Sequence, residues 1–305
     1  MQSALAGRPV ALIGAGAVGR VLALQMRRAG VEVAAVVSRS RARAEAVARE
    51  AGVPAWSDRL ADLPASAEIV VLCTPDAALP DVAAALAALD RPWAGCAVGH
   101  TAGALSVAPL APVAARGASP FAFHPLQTLT AASRPEALDG AYAGVEDTGE
   151  PGVGRALAVQ LGMRPVTIAG ADRARYHLAA TMASNGLVAL VGAVADVLAT
   201  IGVAREEATA LMAPLLEGTV RNLRAGTPES ALTGPVARGD AETVGRHVTA
   251  LDGELERVRP LYAILQAEAL RVALQAGKLD AAQARSLREA MGRAERGEGG
   301  TGSRT

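Results

Sequence analysis

Histidine is the residue type in this sequence best suited to move protons near neutral pH, and the chain contains four histidines. Two of them, His100 and His124, directly follow apolar runs of strand character. Imidazole can give a proton to an oxygen or nitrogen atom that gains negative charge. Parallel strands place their carboxyl ends at one edge of a sheet, where both histidines are predicted to face a ligand. The alternative is that each histidine only hydrogen-bonds its own loop.

Asn185 is a second kind of candidate, because it lies within a segment of helical periodicity over 174–200. Asparagine is a poor helix former unless its amide finds a hydrogen-bond partner. We therefore predict that Asn185 contacts a substrate. A satisfied amide between two helices is the alternative.

A glycine-rich segment near the start of the chain predicts the ligand that these residues would face. An apolar run over 10–13 leads into Gly-x-Gly-x-x-Gly, and a helix-like segment over 21–29 follows. Gly14 permits a tight turn, Gly16 lets backbone approach a pyrophosphate, and Gly19 lets helix and strand pack closely. The helix then directs free N–H groups and its positive dipole end toward phosphates. A plain structural turn, or another nucleotide-like ligand, is the alternative. The predicted cofactor-binding residues of the loop are Gly14, Ala15, Gly16, Ala17, Val18 and Gly19.

The residues that follow the next two strands refine the predicted cofactor. Ser38 and Arg39 come directly after a β-branched strand over 31–37, where an acid would bind the adenosine ribose of NAD. A serine and an arginine instead offer hydrogen bonds and positive charge to a 2′-phosphate, which predicts NADP(H). A solvated helix start is the alternative. Thr74 and Pro75 end the strand over 69–73 and are expected beside the cofactor.

Composition narrows the class of protein. The 305 residues are 51% hydrophobic and 2% aromatic with zero net charge, so neither a nucleic-acid nor a membrane-surface partner is expected. The two cysteines are expected to be buried free thiols, as in a reducing cytoplasm. No spacing of histidine or cysteine predicts a metal site. The most apolar stretch, 187–201, carries Asp196 and is predicted to be an amphipathic or buried helix rather than a membrane span.

The order of strand-like and helix-like segments predicts two domains. Strands alternate with helices up to about residue 170, and helical periodicity then dominates. We predict an α/β Rossmann-type domain over 1–170, an all-α domain over 171–293, and a disordered tail over 294–305.

Taken together, the motifs from about Arg8 to Arg293 resemble the DUF2520 family, whose members carry a Rossmann-like domain followed by a domain of unknown function. The motifs that carry the resemblance are GAGAVG at 14–19, Ser-Arg at 38–39, TPD at 74–76, HTAGAL at 100–105, HPLQT at 124–128, YHLAATMASNG at 176–186, LTGPVARGD at 232–240 and His247. The family is similar to the 6-phosphogluconate dehydrogenase-like group, which includes 3-hydroxyisobutyrate, ketopantoate and pyrroline-5-carboxylate enzymes. The resemblance implies NADP-dependent chemistry on a small molecule and a helical domain that forms a homodimer.

The resemblance also exposes a departure in the catalytic residues. In the related 3-hydroxyacid and ketopantoate enzymes one helix carries a lysine and, four residues later, an asparagine. Asn185 matches the asparagine, but the earlier position is Thr181, and the single lysine of the chain is Lys278. Threonine cannot act as a cationic acid, so His177, one turn earlier, is the substitute within that helix.

The leading hypothesis is a cytoplasmic NADPH-dependent oxidoreductase that reduces a small polar ketone or imine, with ketopantoate as the most concrete substrate. In it His124 or His100 supplies the proton, and Asn185 donates a hydrogen bond to the developing oxyanion. A non-catalytic NADP-binding sensor or scaffold is the first alternative. A methyltransferase that binds S-adenosylmethionine is the second.

Overall fold

Among the described residues, eight strands form one sheet in the N-terminal part of the chain. The computed structural model describes residue 5, residues 7–149 and residues 152–296. The strands are β1 (Val10–Ile13), β2 (Val33–Val37), β3 (Ala55–Ser57), β4 (Ile69–Leu72), β5 (Ala97–His100), β6 (Ser119–Leu126), β7 (Tyr142–Asp147) and β8 (Arg164–Thr167). Their order is β3-β2-β1-β4-β5-β6-β7-β8, and β6 and β7 form the antiparallel pair. The remaining neighbours are parallel, so the Rossmann-type α/β fold is confirmed.

Helices connect the strands in the first half of the chain and dominate the second half. They are α1 (Ala17–Arg28), α2 (Arg41–Ala51), α3 (Leu79–Ala87), α4 (Ala111–Ala114), α5 (Val153–Gln160), α6 (Arg173–Ala183), α7 (Asn185–Ala199), α8 (Arg205–Ala225), α9 (Pro228–Ala231), α10 (Gly234–Ala237), α11 (Ala241–Ala250), α12 (Arg259–Gln275) and α13 (Ala281–Arg296). The two single-turn helices α9 and α10 lie between the longer helices α8 and α11. The all-α character of the C-terminal region is confirmed.

The sheet is buried on both faces, which explains the continuous apolar runs of its central strands. Successive side chains point to opposite faces, so Leu12 and Ile13 of β1 enter different cores. Val36 and Val37 of β2 divide in the same way. Trp93 supplies a large, fully buried side chain to the core that contains Ile13. These cores hold the carboxyl ends of the strands in fixed positions.

The chain divides into two units, Met1–Asn185 and Gly186–Thr305. This division lies later than the predicted boundary at residue 170, because α6 stays with the sheet. The fully buried Arg173 of α6 donates hydrogen bonds to the carbonyl oxygens of Leu105 and Gly144, which lie after β5 and on β7. At the other end, α13 continues to Arg296, past the predicted start of the tail at 294. Residues 297–305 of that tail lie outside the described residues.

The second unit has a smaller core, built where α11, α12 and α13 contribute Val244, Leu270 and Leu287. Of the two alternatives predicted for the stretch over 187–201, the buried helix does not hold, since Val188 is 71% exposed and Ile201 is 73% exposed. In the described part of the chain, the helical stretch Gly170–Ala199 is long and apolar enough to cross a membrane, with 6% of its most apolar window buried. Length and composition are weak evidence, because core helices and signal sequences meet the same criterion.

Candidate active site

The three glycines of the loop after β1 have different surroundings. Gly14 has a φ of +115°, and a Cβ there would lie 2.7 Å from the carbonyl carbon of Cys73 at the end of β4. A Cβ on Gly19 would lie far inside 3.0 Å of the Gly14 carbonyl oxygen. A Cβ on Gly16 would meet no described atom within 4 Å. Gly14 and Gly19 are therefore required by the fold, whereas the space at Gly16 is open.

The N-terminus of α1 is available to bind an anion. Gly16 is the N-cap residue and supplies no side-chain hydrogen bond, and the first turn holds no acidic residue. The N–H groups of this turn and the positive end of the helix dipole thus remain unneutralised by the helix itself. Gly14, Ala15, Gly16, Ala17 and Val18 line a cavity of about 770 Å³ that runs along the carboxyl ends of the strands. Its size is typical of small-molecule sites.

Basic and hydroxyl groups line the cavity beyond β2. Ser38 and Arg39 both line it, and so does Arg43 from the first turn of α2, which the sequence analysis did not select. Arg41, between them, does not line the cavity. Asp58, which follows β3, lines the cavity as well. Two guanidinium groups and a serine hydroxyl suit a phosphate group better than the two hydroxyl groups of a ribose.

The turn after β4 also lies where the sequence predicts. Thr74 and Pro75 both line the cavity. The Thr74 Oγ1 atom is buried and has no hydrogen-bond partner among the described residues. Buried hydroxyl groups without partners are rare in proteins, so this atom is suited to a bound molecule. Beside it, burial raises the pKa of the Cys73 thiol to about 12, so Cys73 is a neutral wall of the site.

His124 lines the same cavity at its other end. It lies within β6, which continues past it to Leu126 and pairs with β7. Its Nδ1 atom lies 2.9 Å from the Tyr176 hydroxyl oxygen, and its ring meets the His177 ring edge-on at 5.9 Å between centroids. Burial, together with the nearby His177, Arg173 and His100, lowers the pKa of His124 to about 4. His124 is therefore neutral at pH 7.

Two glycines make room for these rings. A Cβ on Gly103 would lie 2.5 Å from Cδ2 of His177 and 2.9 Å from Nε2 of His124. A Cβ on Gly144 would lie 2.8 Å from the hydroxyl oxygen of Tyr176. Any larger residue at either position would displace the side chains at this end of the cavity.

His100 is bound to its own loop, which is the alternative that the sequence analysis gave for it. His100 is fully buried, and it is not among the described residues that line the cavity. Its Nε2 lies 2.8 Å from the Ser106 carbonyl oxygen, and its Nδ1 accepts the N–H of Ala102. Both ring nitrogens are thus used by the loop after β5. His100 shapes the loop that presents Ala102 and Gly103 to the cavity.

A buried arginine holds that loop from the other side. Arg173 has no exposed surface, and its Nε donates to the carbonyl oxygen of Leu105 at 2.6 Å. Its Nε also lies 3.8 Å from a carboxylate oxygen of Glu146. Burial lowers the pKa of Arg173, and Glu146 opposes that shift. Its Nη1 atom is buried without a hydrogen-bond partner in the described structure.

The prediction that Asn185 contacts the site is not supported by its position. Helical structure is interrupted at Ser184, so Asn185 is the first residue of α7 and is exposed. It does not line the described cavity. At a helix start asparagine carries little of the penalty it has inside a helix. His177 does line the cavity, whereas His247 lies in the second unit and pairs with Tyr262 at 2.9 Å.

Sequence reasoning missed Tyr176 and Arg173, which complete the site around His124. The signal was present as spacing: residues 173, 176 and 177 are three and four apart, so they share one face of α6. The spacing does not predict which part of the protein packs against that face of α6. Among the described residues, no group of three or more histidine, cysteine, aspartate or glutamate side chains could hold a metal ion.

Two family models match successive parts of the chain. Residues 3–125 match the Rossmann-like domain family, and residues 142–269 match the DUF2520 family of unknown function.

Solved structures resemble the chain over most of its length. The candidate NADP oxidoreductase BF3122 from Bacteroides fragilis is 22% identical, with a TM-score of 0.72 over 88% of this chain and 99% of that protein. Protein TM1727 from Thermotoga maritima is 26% identical, with a TM-score of 0.66 over 87% and 98%. A reductive aminase from Aspergillus terreus, in complex with NADPH and ethyl-5-oxohexanoate, is 18% identical, with a TM-score of 0.57 over 95% and 94%. These likenesses show the fold.

Proposed function

We propose that this protein is an NADPH-dependent oxidoreductase that reduces a small polar ketone or imine, with ketopantoate as the first substrate to test. The observation that carries the proposal is that one cavity joins the glycine loop, the Ser38–Arg39 turn and His124. The similar fold of a reductive aminase in complex with NADPH supports the same class of cofactor.

The residues of the cavity fit the cofactor. The free N–H groups at the start of α1 bind its pyrophosphate, and the open space at Gly16 lets the phosphates approach the backbone. Ser38, Arg39 and Arg43 bind the 2′-phosphate, and the unpartnered Thr74 hydroxyl binds the cofactor on the other side of the loop. When bound, NADPH supplies hydride to the substrate carbon.

His124 acts on the substrate oxygen or nitrogen. It is neutral at pH 7, so its N–H stabilises the growing negative charge as a hydrogen-bond donor before any proton moves. Asn185 has no part in this proposal because of its exposed position.

Thermal unfolding with NADPH and with NADH tests the cofactor. NADPH at one hundred times its Kd should stabilise the fold by about 2.7 kcal/mol, and NADH at the same concentration should stabilise it less. The double variant Arg39→Ala/Arg43→Ala should bind NADPH at least about tenfold more weakly, since each guanidinium–phosphate contact contributes roughly 1–3 kcal/mol. Arg41→Ala is the matched control and should behave as wild type. Equal losses of NADPH affinity in the double variant and in Arg41→Ala would refute the assignment of the phosphate site.

Turnover is measured as the loss of NADPH absorbance with a panel of 2-oxo acids, ketopantoate among them, and cyclic imines. Reduction of one class with wild-type protein and its loss in His124→Ala supports the proposal. Selective NADPH binding without reduction of any panel member would instead favour the non-catalytic sensor.

The proposal extends to a cytoplasmic homodimer that associates through its helical region. Exposed apolar side chains on α7 and α8, such as Val188 and Leu215, support it, since large exposed apolar surfaces mark interaction sites. Light scattering of the purified protein measures the mass directly, and a monomer would contradict this part of the proposal.

A further inference from the structure

The contact between His124 and Tyr176 fixes which ring nitrogen of the histidine carries the proton. The Tyr176 hydroxyl oxygen lies 2.9 Å from Nδ1 of His124. A phenol is a stronger acid than a neutral imidazole N–H, so the hydroxyl group donates and Nδ1 accepts. A neutral imidazole has one N–H group, which is then on Nε2.

The proton on Nε2 is directed toward the cavity. Nε2 lies next to Gly103, where an added Cβ would be 2.9 Å away. Gly103 and His177, which flank it, both line the cavity. The proton therefore faces the space where a substrate must lie.

The buried guanidinium group of Arg173 interacts electrostatically with Tyr176. Burial raises the pKa of Tyr176, whereas the positive charge of Arg173 and a backbone hydrogen bond with Gly144 lower it. Arg173 is fully buried, and its Nη1 has no hydrogen-bond partner among the described residues. Glu146 balances part of its charge at 3.8 Å. A phenolate at Tyr176 would thus form beside a guanidinium group that has a free N–H.

We propose that Tyr176 is the source of the proton that reaches the substrate, and that His124 passes it on. This inference rests on the proposed reductase function. As hydride adds to the substrate carbon, the N–H bond at Nε2 breaks and an O–H or N–H bond forms on the substrate. The Tyr176 O–H bond breaks at the same time, and an N–H bond forms at Nδ1. His124 stays neutral throughout, and the negative charge moves to the Tyr176 oxygen beside Arg173.

Solvent completes the cycle, because the Tyr176 side chain is only half-buried and water can reprotonate it. The titratable and charged groups that face His124 are Tyr176, His177, Arg173 and His100. His177 and Arg173 disfavour a second proton on His124. The proton transfer therefore does not stop at an imidazolium ion.

Nitrogen NMR of the imidazole rings tests the tautomer without any substrate. In wild-type protein at pH 7, the His124 signals should show a protonated Nε2 and an unprotonated Nδ1. Tyr176→Phe should shift the population toward the Nδ1–H form. Tyr262→Phe is the matched control, because Tyr262 makes the same 2.9 Å contact with His247 in the second unit. It should leave His124 unchanged. A protonated Nδ1 in wild type, or an unchanged tautomer in Tyr176→Phe, overturns the proposal.

Kinetics with the best panel substrate test the proton path. Tyr176→Phe should lower kcat by at least about tenfold, as loss of general acid catalysis does, while KM and the Kd for NADPH stay unchanged. The solvent isotope effect on kcat should fall from a two-proton to a one-proton dependence. Circular dichroism confirms that the variant folds. An unchanged kcat overturns the relay and leaves the reductase intact, whereas absence of NADPH binding in wild type overturns the reductase itself.

Discussion

Replacing two glycines of the cofactor loop by alanine separates what the fold needs from what the cofactor needs. A methyl group on Gly19 would lie 3.1 Å from the carbonyl carbon of Gly14, 3.3 Å from Cβ of Cys73, and closer still to the Gly14 oxygen. Gly16 has a φ of −81°, and a methyl group there would meet no described atom within 4 Å. Gly16→Ala and Gly19→Ala therefore lie in the same loop, but only Gly19→Ala creates a steric conflict.

The expected loss of stability follows from this difference. Overpacking against a backbone that cannot rotate away costs roughly 3 kcal/mol, and the better helix propensity of alanine offsets about 1 kcal/mol. Gly19→Ala should therefore lower the free energy of unfolding by about 2 kcal/mol, or roughly 4–8 °C in Tm for a unit of this size. At Gly16 the loss of a favourable N-cap and the gain in chain stiffness nearly cancel, so Tm should change by less than about 2 °C.

Cofactor binding should show the opposite pattern. A methyl group at Gly16 enters the space where phosphate approaches the backbone, and we expect at least about tenfold weaker NADPH binding. At one hundred times the wild-type Kd, stabilisation by NADPH should then fall from about 2.7 to about 1.4 kcal/mol.

Thermal unfolding of both variants, with and without NADPH, gives all four values. An equal loss of apo stability in the two variants, with an unchanged response to NADPH in Gly16→Ala, would refute the assignment of the loop.

Three further predictions use buried charged or titratable groups. Because the pKa of His124 is lowered by burial to about 4 from near 6.5, the unfolded chain takes up a proton at a higher pH than the folded chain. The free energy of unfolding should therefore fall by at most about 3 kcal/mol as the pH drops between these values. Urea unfolding of His124→Gln should lack this part of the pH dependence. Arg173→Met should lower the free energy of unfolding, measured with urea, by about 3–5 kcal/mol because Glu146 loses its buried partner. Adding Glu146→Gln to Arg173→Met should recover part of this loss of stability. Because burial raises the pKa of Cys73 to about 12, iodoacetamide at about pH 8 should label it in denaturant but not in the native protein, as measured by mass spectrometry; rapid native labelling would contradict this.

The residues that the sequence analysis assigned to the cofactor lie in short segments. The glycine loop, the Ser38–Arg39 turn and the Thr74–Pro75 turn each follow a strand of continuous apolar residues, and all three line the cavity. Their position is fixed because parallel strands present their carboxyl ends to the same edge of a sheet.

The two strand-end histidines show where this logic fails. His100 and His124 have the same sequence context, yet one is bound to its own loop and the other faces the cavity. The direction of each ring depends on the partners that the loop and the neighbouring helix offer to its nitrogens. Asn185 departs from its predicted position in a helix interior, because an interruption at Ser184 makes it the first residue of α7.

The sequence by itself thus determined the fold class and placed the glycine loop and the residues that follow β2 and β4 at one edge of the sheet, because each depends on periodicity or on backbone freedom within a few residues. Tertiary structure alone decided that Tyr176 meets His124, 52 residues away, and that Arg173 meets the loop at Leu105, 68 residues away. Such contacts depend on how one face of α6 packs on the sheet, and helix spacing specifies the face but not its partner.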